Sequence, residues 1–240
     1  MKENNELDIL IPVFNEDEII IKTIKNILSS VKYNFKILVC FDYDEDPTLK
    51  IIKENFPNNH KIVFVKNFSK GFNNALISGF KNTAAKAILI FMADDHTNHN
   101  IINSCYERFR DGYDVVCPSR FVKCGKMIGN PFLKAFITRL VSFFLYNFTS
   151  FPIKDSTNSF RLFSTELISK VKIESNKGFT LSLELTAKAY RLGYKITEIP
   201  TIWIERSKGK SRFKLFSFIL PYTRWFFYII KTSIFYKNAK

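Results

Sequence analysis

Ile90-Phe91-Met92-Ala93-Asp94-Asp95-His96 is an apolar, strand-like run that stops abruptly at two adjacent carboxylates. The run begins at Ala87, and a short apolar run met at once by acids marks the carboxyl end of a strand in an α/β sheet, where ligands usually sit. Adjacent acids there suit a hard divalent cation that carries a phosphorylated substrate. The same residues also fit a solvated turn with two surface acids, so the choice falls to the rest of the chain.

Strand-like and helix-like patterns alternate on the N-terminal side of this stretch. Leu7 to Phe14 reads as a strand ending at Asn15-Glu16, and Asp17 to Ser30 places Ile20, Ile24, Ile27 and Leu28 at helical spacing. Lys36 to Phe41 is a second strand, ending at Asp42, and Pro47 to Asn55 a second helix. Strand Lys61 to Val65 leads to helix Gly71 to Lys81, whose Ala75, Leu76 and Gly79 form a tight-packing face. This alternation predicts a mostly parallel sheet with helices on both faces. Neither GxGxxG after the first strand nor GxxxxGK[ST] is present, which excludes the dinucleotide-fold and P-loop signatures. Instead, successive strands end in Glu16, Asp42 and Asp94. Acids gathered at one sheet edge are costly unless a cation or sugar hydroxyls satisfy them.

Composition narrows the classes. A chain of 240 residues, 46% hydrophobic, builds one large domain or one domain with an appendage. It carries 26 Phe and a formal net charge of +14, which suits nucleic acid, an anionic membrane surface or a phosphate-rich substrate. Cys40, Cys105, Cys117 and Cys124 show no CxxC pairing and no His at ligand spacing, so zinc is not indicated. Reduced thiols in a cytosolic compartment are the simplest reading, and the polar, acidic Met1 to Asp8 does not resemble a signal peptide.

Seven motifs in order carry a family resemblance. They are Ile11-Pro12-Val13-Phe14-Asn15-Glu16; Asp42-Tyr43-Asp44-Glu45-Asp46-Pro47-Thr48; Asn67 to Gly79; Gly112 to Val116 with Ser119-Arg120-Phe121; Asp155 to Arg161; Glu184 with Gly193 to Pro200; and Arg206 to Arg212. From Leu7 to Arg212 the chain resembles the family 2 glycosyltransferases of the GT-A fold, most closely the polyprenyl-phosphate sugar synthases of the dolichyl-phosphate mannose synthase type. The resemblance implies a GDP- or UDP-hexose donor and Mg²⁺ or Mn²⁺. It assigns Pro12, Asn15, Glu16, Asp42 and Gly71 to the donor nucleotide, with Asp94 on a metal that bridges the diphosphate. Asp46 reads more simply as the cap of the helix at Pro47.

Met92 departs from the family, which carries Asp there. Methionine is a poor ligand for a hard cation. Three outcomes stay open: Asp95 completes an Asp94-Asp95 metal pair, Asp94 acts with donor phosphates and water, or the metal site is lost. His96 reads as a surface loop residue.

For the acceptor, Arg120, Arg139 and Arg161 fall in or near family motifs, with Ser159 where the family has Gly. Guanidinium forks suit phosphate oxygens. Arg120 and Arg139 are expected on the acceptor phosphate, and Arg206 and Arg212 on the donor diphosphate when the Ser207 to Ser211 loop closes. Asp155 is a candidate base, although an ionised phosphate acceptor needs none. Surface ion pairing is the competing reading for each arginine.

Two apolar segments bear on location. Pro131 to Phe151 holds seven aromatic residues beside Lys134 and Arg139. In Lys214 to Lys231, Lys214, Ser217, Arg224 and Lys231 fall within roughly 100° of one helical face, opposite Trp225 and several Phe, with a kink or break expected at Pro221. Charges interrupt each run before the ~18 residues of a spanning helix. A basic face opposite aromatics describes a helix in the membrane interface; packing on the domain, or on transmembrane helices of a partner protein, is the alternative. The expected organisation is a GT-A domain over 1–212 and an amphipathic, membrane-associated helical segment over 213–240.

The function expected is an inverting, metal-dependent glycosyltransferase at the cytosolic membrane face, peripheral or monotopic, with a polyprenyl phosphate acceptor. Transfer to a glycan hydroxyl and non-catalytic nucleotide-sugar binding are the alternatives. Nucleic acid is not an expected partner, since no recognition motif accompanies the charge.

Overall fold

The computed structural model describes residues 5–16, 18–175, 179–204 and 215–235, with side chains described except at 134 and 215–220. Its order begins β1 (Leu7–Val13), α1 (Ile19–Ser30), β2 (Phe35–Phe41), α2 (Pro47–Asn55), β3 (Ile62–Lys66), α3 (Phe72–Asn82) and β4 (Ala87–Ile90). Next come α4 (Ile101–Arg110), β5 (Val115–Ser119), β6 (Lys126–Ile128), α5 (Phe132–Phe148), β7 (Arg161–Ser164) and α6 (Thr165–Lys170). The described chain ends with α7 (Leu181–Arg191), β8 (Ile196–Pro200), β9 (Ile202–Ile204) and α8 (Leu215–Phe235).

Seven strands form one sheet in the order β3-β2-β1-β4-β7-β5-β8, and β6 pairs with β9 in a small second sheet. Strands β1 to β4 are mutually parallel, β7 runs antiparallel to both β4 and β5, and β8 is parallel to β5. This is the expected mixed α/β, GT-A architecture, with helices on both faces. The chain winds outward through β2 and β3, then returns to the far side of β1 at β4. The β1–β4 seam is therefore a topological switch point, and its carboxyl edge is where such sheets bind ligands.

Local signals explain the elements that build this edge. In α1, Ile20, Ile24 and Ile27 are buried at helical spacing, each contributing about 1.5–3 kcal/mol. Helix α2 starts at Pro47, capped by Asp46, whose carboxylate accepts from Thr48 N at 2.9 Å. Helix α3 can lie close on the sheet because a Cβ at Gly79 would collide with the Leu10 side chain.

Two hydrophobic clusters occupy the two sheet faces. One gathers Ile9, Ile11, Ile24 and Ile102; the other gathers Leu10, Leu76, Leu145, Leu185, Trp225 and Ile229. Helix α8 thus contributes to the core it packs on, and Trp225 Nε1 donates to Ser175 Oγ at 3.0 Å. The helix runs through Pro221 rather than breaking there. The boundary expected between 212 and 213 lies outside the described residues.

Candidate active site

Three parallel strands deliver the predicted acids to one edge. After β1, Asn15 adopts φ +51°; its backbone N–H donates to Asp46 Oδ2 at 3.0 Å and its Oδ1 accepts from the Tyr43 hydroxyl. Asp46 therefore caps α2 and holds the neighbouring loop at once. Glu16 is half-buried beside it, its N–H donating to Thr48 Oγ1 at 2.9 Å, and Pro12 is half-buried within β1.

After β2, Asp42 accepts from Asn67 Nδ2 at 2.7 Å and from Gly71 N at 2.8 Å. Gly71 begins α3 at φ +90°, a conformation that disfavours side-chain-bearing residues. Each Asp42 oxygen keeps a second lone pair. Asp42 and Gly71, expected together on the donor, are brought together.

After β4 the two adjacent acids part company. Asp94 is half-buried at the strand end, whereas Asp95 is 6% exposed. Asp95 Oδ1 accepts from Thr97 N at 3.2 Å, Thr97 Oγ1 at 3.0 Å and Asn98 N at 3.0 Å, and Oδ2 from Asn98 Nδ2 at 2.7 Å. The carboxylate expected to complete a metal pair is turned inward as a turn-forming cap. Among the described residues no group of three or more His, Cys, Asp or Glu is placed to hold a metal ion. A half-buried Asp94 carboxylate at a strand end still fits Mg²⁺ or Mn²⁺, which take one or two protein carboxylates when phosphates and water fill the other positions.

Strand β7, by running antiparallel, brings its leading loop to the same edge as the end of β5. There Arg120 and Asp155 form a buried, two-pronged ion pair, Nε to Oδ2 at 2.7 Å and Nη2 to Oδ1 at 2.7 Å. The Arg120 backbone N–H adds a bond to Oδ2 at 2.9 Å, and Nη2 also donates to Thr157 Oγ1 at 2.6 Å. Burial alone would raise the Asp155 carboxyl; the Arg120 charge and hydrogen bonds, helped by Arg161, reverse this and hold it below the usual range. Asp155 is an ionised counterion to Arg120, an arrangement that orients the arginine and holds its own loop. Glu198 holds the loop from beneath, accepting from Lys154 N at 2.8 Å and Asp155 N at 3.0 Å.

Arg139, exposed on α5, meets Arg120 over one ring: their guanidinium carbons lie 5.4 and 5.2 Å from the Phe121 centroid. Arg161 does not join them. It is fully buried, donating to Ser182 O at 3.0 Å, Thr186 Oγ1 at 2.6 Å and Asp155 O at 2.9 Å. The acceptor role expected for Arg161 gives way to a core role, because α7 supplies its partners. Ser159 is half-buried, its carbonyl accepting from Ser182 Oγ at 3.0 Å. Arg206 and Arg212 lie outside the described residues.

No site role is read from the sequence for Asn98, Thr201, Tyr43 or Glu198, although the last two fall within the family motifs. The Asp95-His96-Thr97-Asn98 string did carry a legible signal, a carboxylate followed by donors at cap spacing.

Comparison with known proteins decides the family. The profile described as Glycosyl transferase family 2 matches residues 8–172. The chain belongs to this family. Two relatives are an uncharacterized glycosyltransferase, YkcC, of Bacillus subtilis (24% identity over 90% of the chain) and a dolichol-phosphate mannosyltransferase of Pyrococcus furiosus (25% over 87%). The chain spans only 65% and 59% of their lengths.

Solved structures resemble it across most of its length. Glucosyl-3-phosphoglycerate synthase of Mycobacterium tuberculosis, in complex with Mn²⁺, UDP-glucose and phosphoglyceric acid, superposes with TM-score 0.70 at 12% identity, covering 95% of this chain and 80% of that one. A mannosyltransferase of Pyrobaculum calidifontis, in complex with GDP-mannose and Mn²⁺, gives 0.60 at 14%, covering 87% and 59%. At these identities the likeness establishes the fold.

Proposed function

We propose that this chain forms the catalytic domain of an inverting, metal-dependent glycosyltransferase that moves a hexose from a GDP- or UDP-sugar to a polyprenyl phosphate. The observation that carries the reading is the shared sheet edge: Asp94 on the donor side, and Arg120 with Arg139 on the acceptor side. Asp94 would hold Mg²⁺ or Mn²⁺, which when bound neutralises the departing nucleoside diphosphate. Glu16, Asn15 and Asp42 line the nucleotide side, and Arg206 and Arg212, by residue type, would pair with diphosphate oxygens. Relatives and neighbours support the donor reading, since solved neighbours were captured with Mn²⁺ and a UDP- or GDP-sugar.

The acceptor reading rests on Asp155. Both its oxygens are engaged by Arg120, which supports a counterion role for this carboxylate over proton abstraction from a sugar hydroxyl. A phosphate acceptor is ionised already and needs only cationic positioning. The Pyrococcus relative's name points the same way.

The exposed face of α5 supports a membrane-surface location. Phe132, Leu133, Phe136, Leu140, Phe143 and Phe148 are exposed along it, and ring contacts continue through Phe144 to Phe226 and Phe227 of α8. No carboxylate occurs from 131 to 151, while Arg139, Lys154 and Lys231 are exposed nearby. Among the described residues no helix is long and apolar enough to cross a membrane. We assign this face to the surface of an anionic bilayer on the cytosolic side, with α5 as the lipid contact and α8 fixed beneath it.

The deciding assay incubates the protein with a panel of nucleotide sugars, short polyprenyl phosphate and Mg²⁺ or Mn²⁺, and reads released nucleoside diphosphate. Release that depends on the lipid phosphate supports the proposal. Release only with glycan acceptors overturns the acceptor, and donor binding without release marks a non-catalytic binder.

A further inference from the structure

One buried side chain joins the donor half of the site to the acceptor half. Asn98 is 6% exposed and uses every polar atom of its amide. Its Nδ2 donates to Asp95 Oδ2 at 2.7 Å and to Ile202 O at 2.9 Å, and its Oδ1 accepts from Thr201 Oγ1 at 2.8 Å. The partners lie more than 100 residues apart in sequence, so this link is tertiary rather than a local turn.

Both ends of the link lead to the reaction centre. On one side, Asp95 shapes the turn that presents Asp94: Asp95 N donates to Met92 O at 3.1 Å, and Thr23 Oγ1 of α1 fixes Ala93 O at 2.8 Å. With Met92 in place of an acid and Asp95 buried in the turn, Asp94 is the carboxylate this turn leaves for a metal. On the other side, Thr201 N donates to Ser119 O at 3.0 Å, next to Arg120, and Thr201 O accepts from Lys126 N at 3.0 Å. The Gly125 before Lys126 is packed so closely that a Cβ would stand 2.5 Å from Ser119 O. Thr201 also begins the β9 connection toward Arg206 and Arg212.

We propose that Asn98 is a positioning residue that couples the aim of Asp94 to the Arg120 loop. The proposal rests on Asp94 holding the metal. An amide suits this place because it donates to a carboxylate and a carbonyl while accepting from a hydroxyl. Aspartate offers no donor and would set a second buried carboxylate against Asp95. A fully satisfied buried network of this type fixes one geometry, whereas a broken one leaves several.

The test compares wild type, Asn98→Ala, Asn98→Asp and Thr201→Val in the full chain. It reads Mn²⁺ affinity in the presence of UDP or GDP by calorimetry, kcat and KM for donor, and melting temperature. Outer-shell partners of metal ligands typically change affinity or rate about 10–100-fold, and both Asn98 variants should weaken Mn²⁺ and lower kcat in that range with Asn98→Asp the worse. Thr201→Val keeps the Asp95 bond, so it should leave Mn²⁺ affinity unchanged while kcat for transfer falls about tenfold. It also keeps the proposal testable if Asn98 variants fold poorly. Lower melting temperatures with unchanged Mn²⁺ affinity and kcat would reduce Asn98 to a structural residue and overturn the coupling. Wild type that binds no Mn²⁺ with either nucleotide overturns the metal reading itself, a separate failure.

Discussion

The Arg120 guanidinium and the Asp155 carboxylate face each other through two parallel bonds of 2.7 Å, both side chains withdrawn from water. Such a fork fixes orientation as well as charge. The pair is therefore a rigid cationic fitting: its positive end reaches the Phe121 ring beside Arg139, and its negative end is anchored through the Asp155 N–H to Glu198.

Breaking the pair from one side leaves a buried charge without compensation. Asp155→Asn should destabilise the fold by about 3–5 kcal/mol, measured by urea denaturation. Equal stability in the variant would mean that Arg120 finds water or another partner at once.

The sign of the pH dependence follows from the depressed Asp155 carboxyl. An unfolded Asp titrates near ~3.9, so the pair's contribution is complete above about pH 5 and is lost as pH falls through the lower folded value. Wild type and Asp155→Asn should differ by a constant amount from about pH 5 to 8, and the difference should shrink from about pH 4 downward until pH lies below the folded value. The transfer rate above pH 5 should show no limb from Asp155. A base titrating near neutrality would instead give an ascending limb that Asp155→Asn removes.

The two adjacent acids should respond differently. Asp94→Asn should lower metal-dependent donor turnover at least about 100-fold while the melting temperature holds. Asp95→Asn should cost about 1–2 kcal/mol of stability, because its carboxylate caps the turn, with turnover reduced in step. Asp95→Asn with normal stability and lost metal binding would restore Asp95 as a ligand.

The aromatic face of α5 should bind vesicles containing an anionic phospholipid. Replacing Phe132, Phe136 and Phe143 by Ser touches only exposed rings, so folding should persist. Partitioning should fall about 1000-fold, taking roughly tenfold for each partly immersed ring. Unchanged sedimentation with vesicles would remove α5 from the membrane contact. A dimer that becomes monomeric in the variant would assign the face to a second copy.

The parallel half of the fold was legible because buried strands read as apolar runs and their ends as acids; the second helix matches Pro47–Asn55 residue for residue. Strand β7 was not legible. At four residues, Arg161–Ser164 has no period, and its direction is set by pairing with β4 and β5. The sequence shows Arg161 as one more cation in a motif; only the fold shows Ser182 and Thr186 closing around it. Likewise Asp94 and Asp95 look equivalent on paper. What separates them is a side chain three residues on and a threonine a hundred residues away.

The reversed direction of β7 also divides the labour of the chain. The residues proposed for the nucleoside and the metal, Pro12 to Asp94, lie on or after β1 to β4, whereas residues 120–160 leave the edge after β5 and return to it ahead of β7, carrying α5 and the Arg120 partner. The parallel crossovers that join β1 to β4 do not pass through that excursion. One donor platform can in this way serve acceptors of different size and solubility, and exchanging the excursion between relatives is the natural way to redirect the transferred sugar.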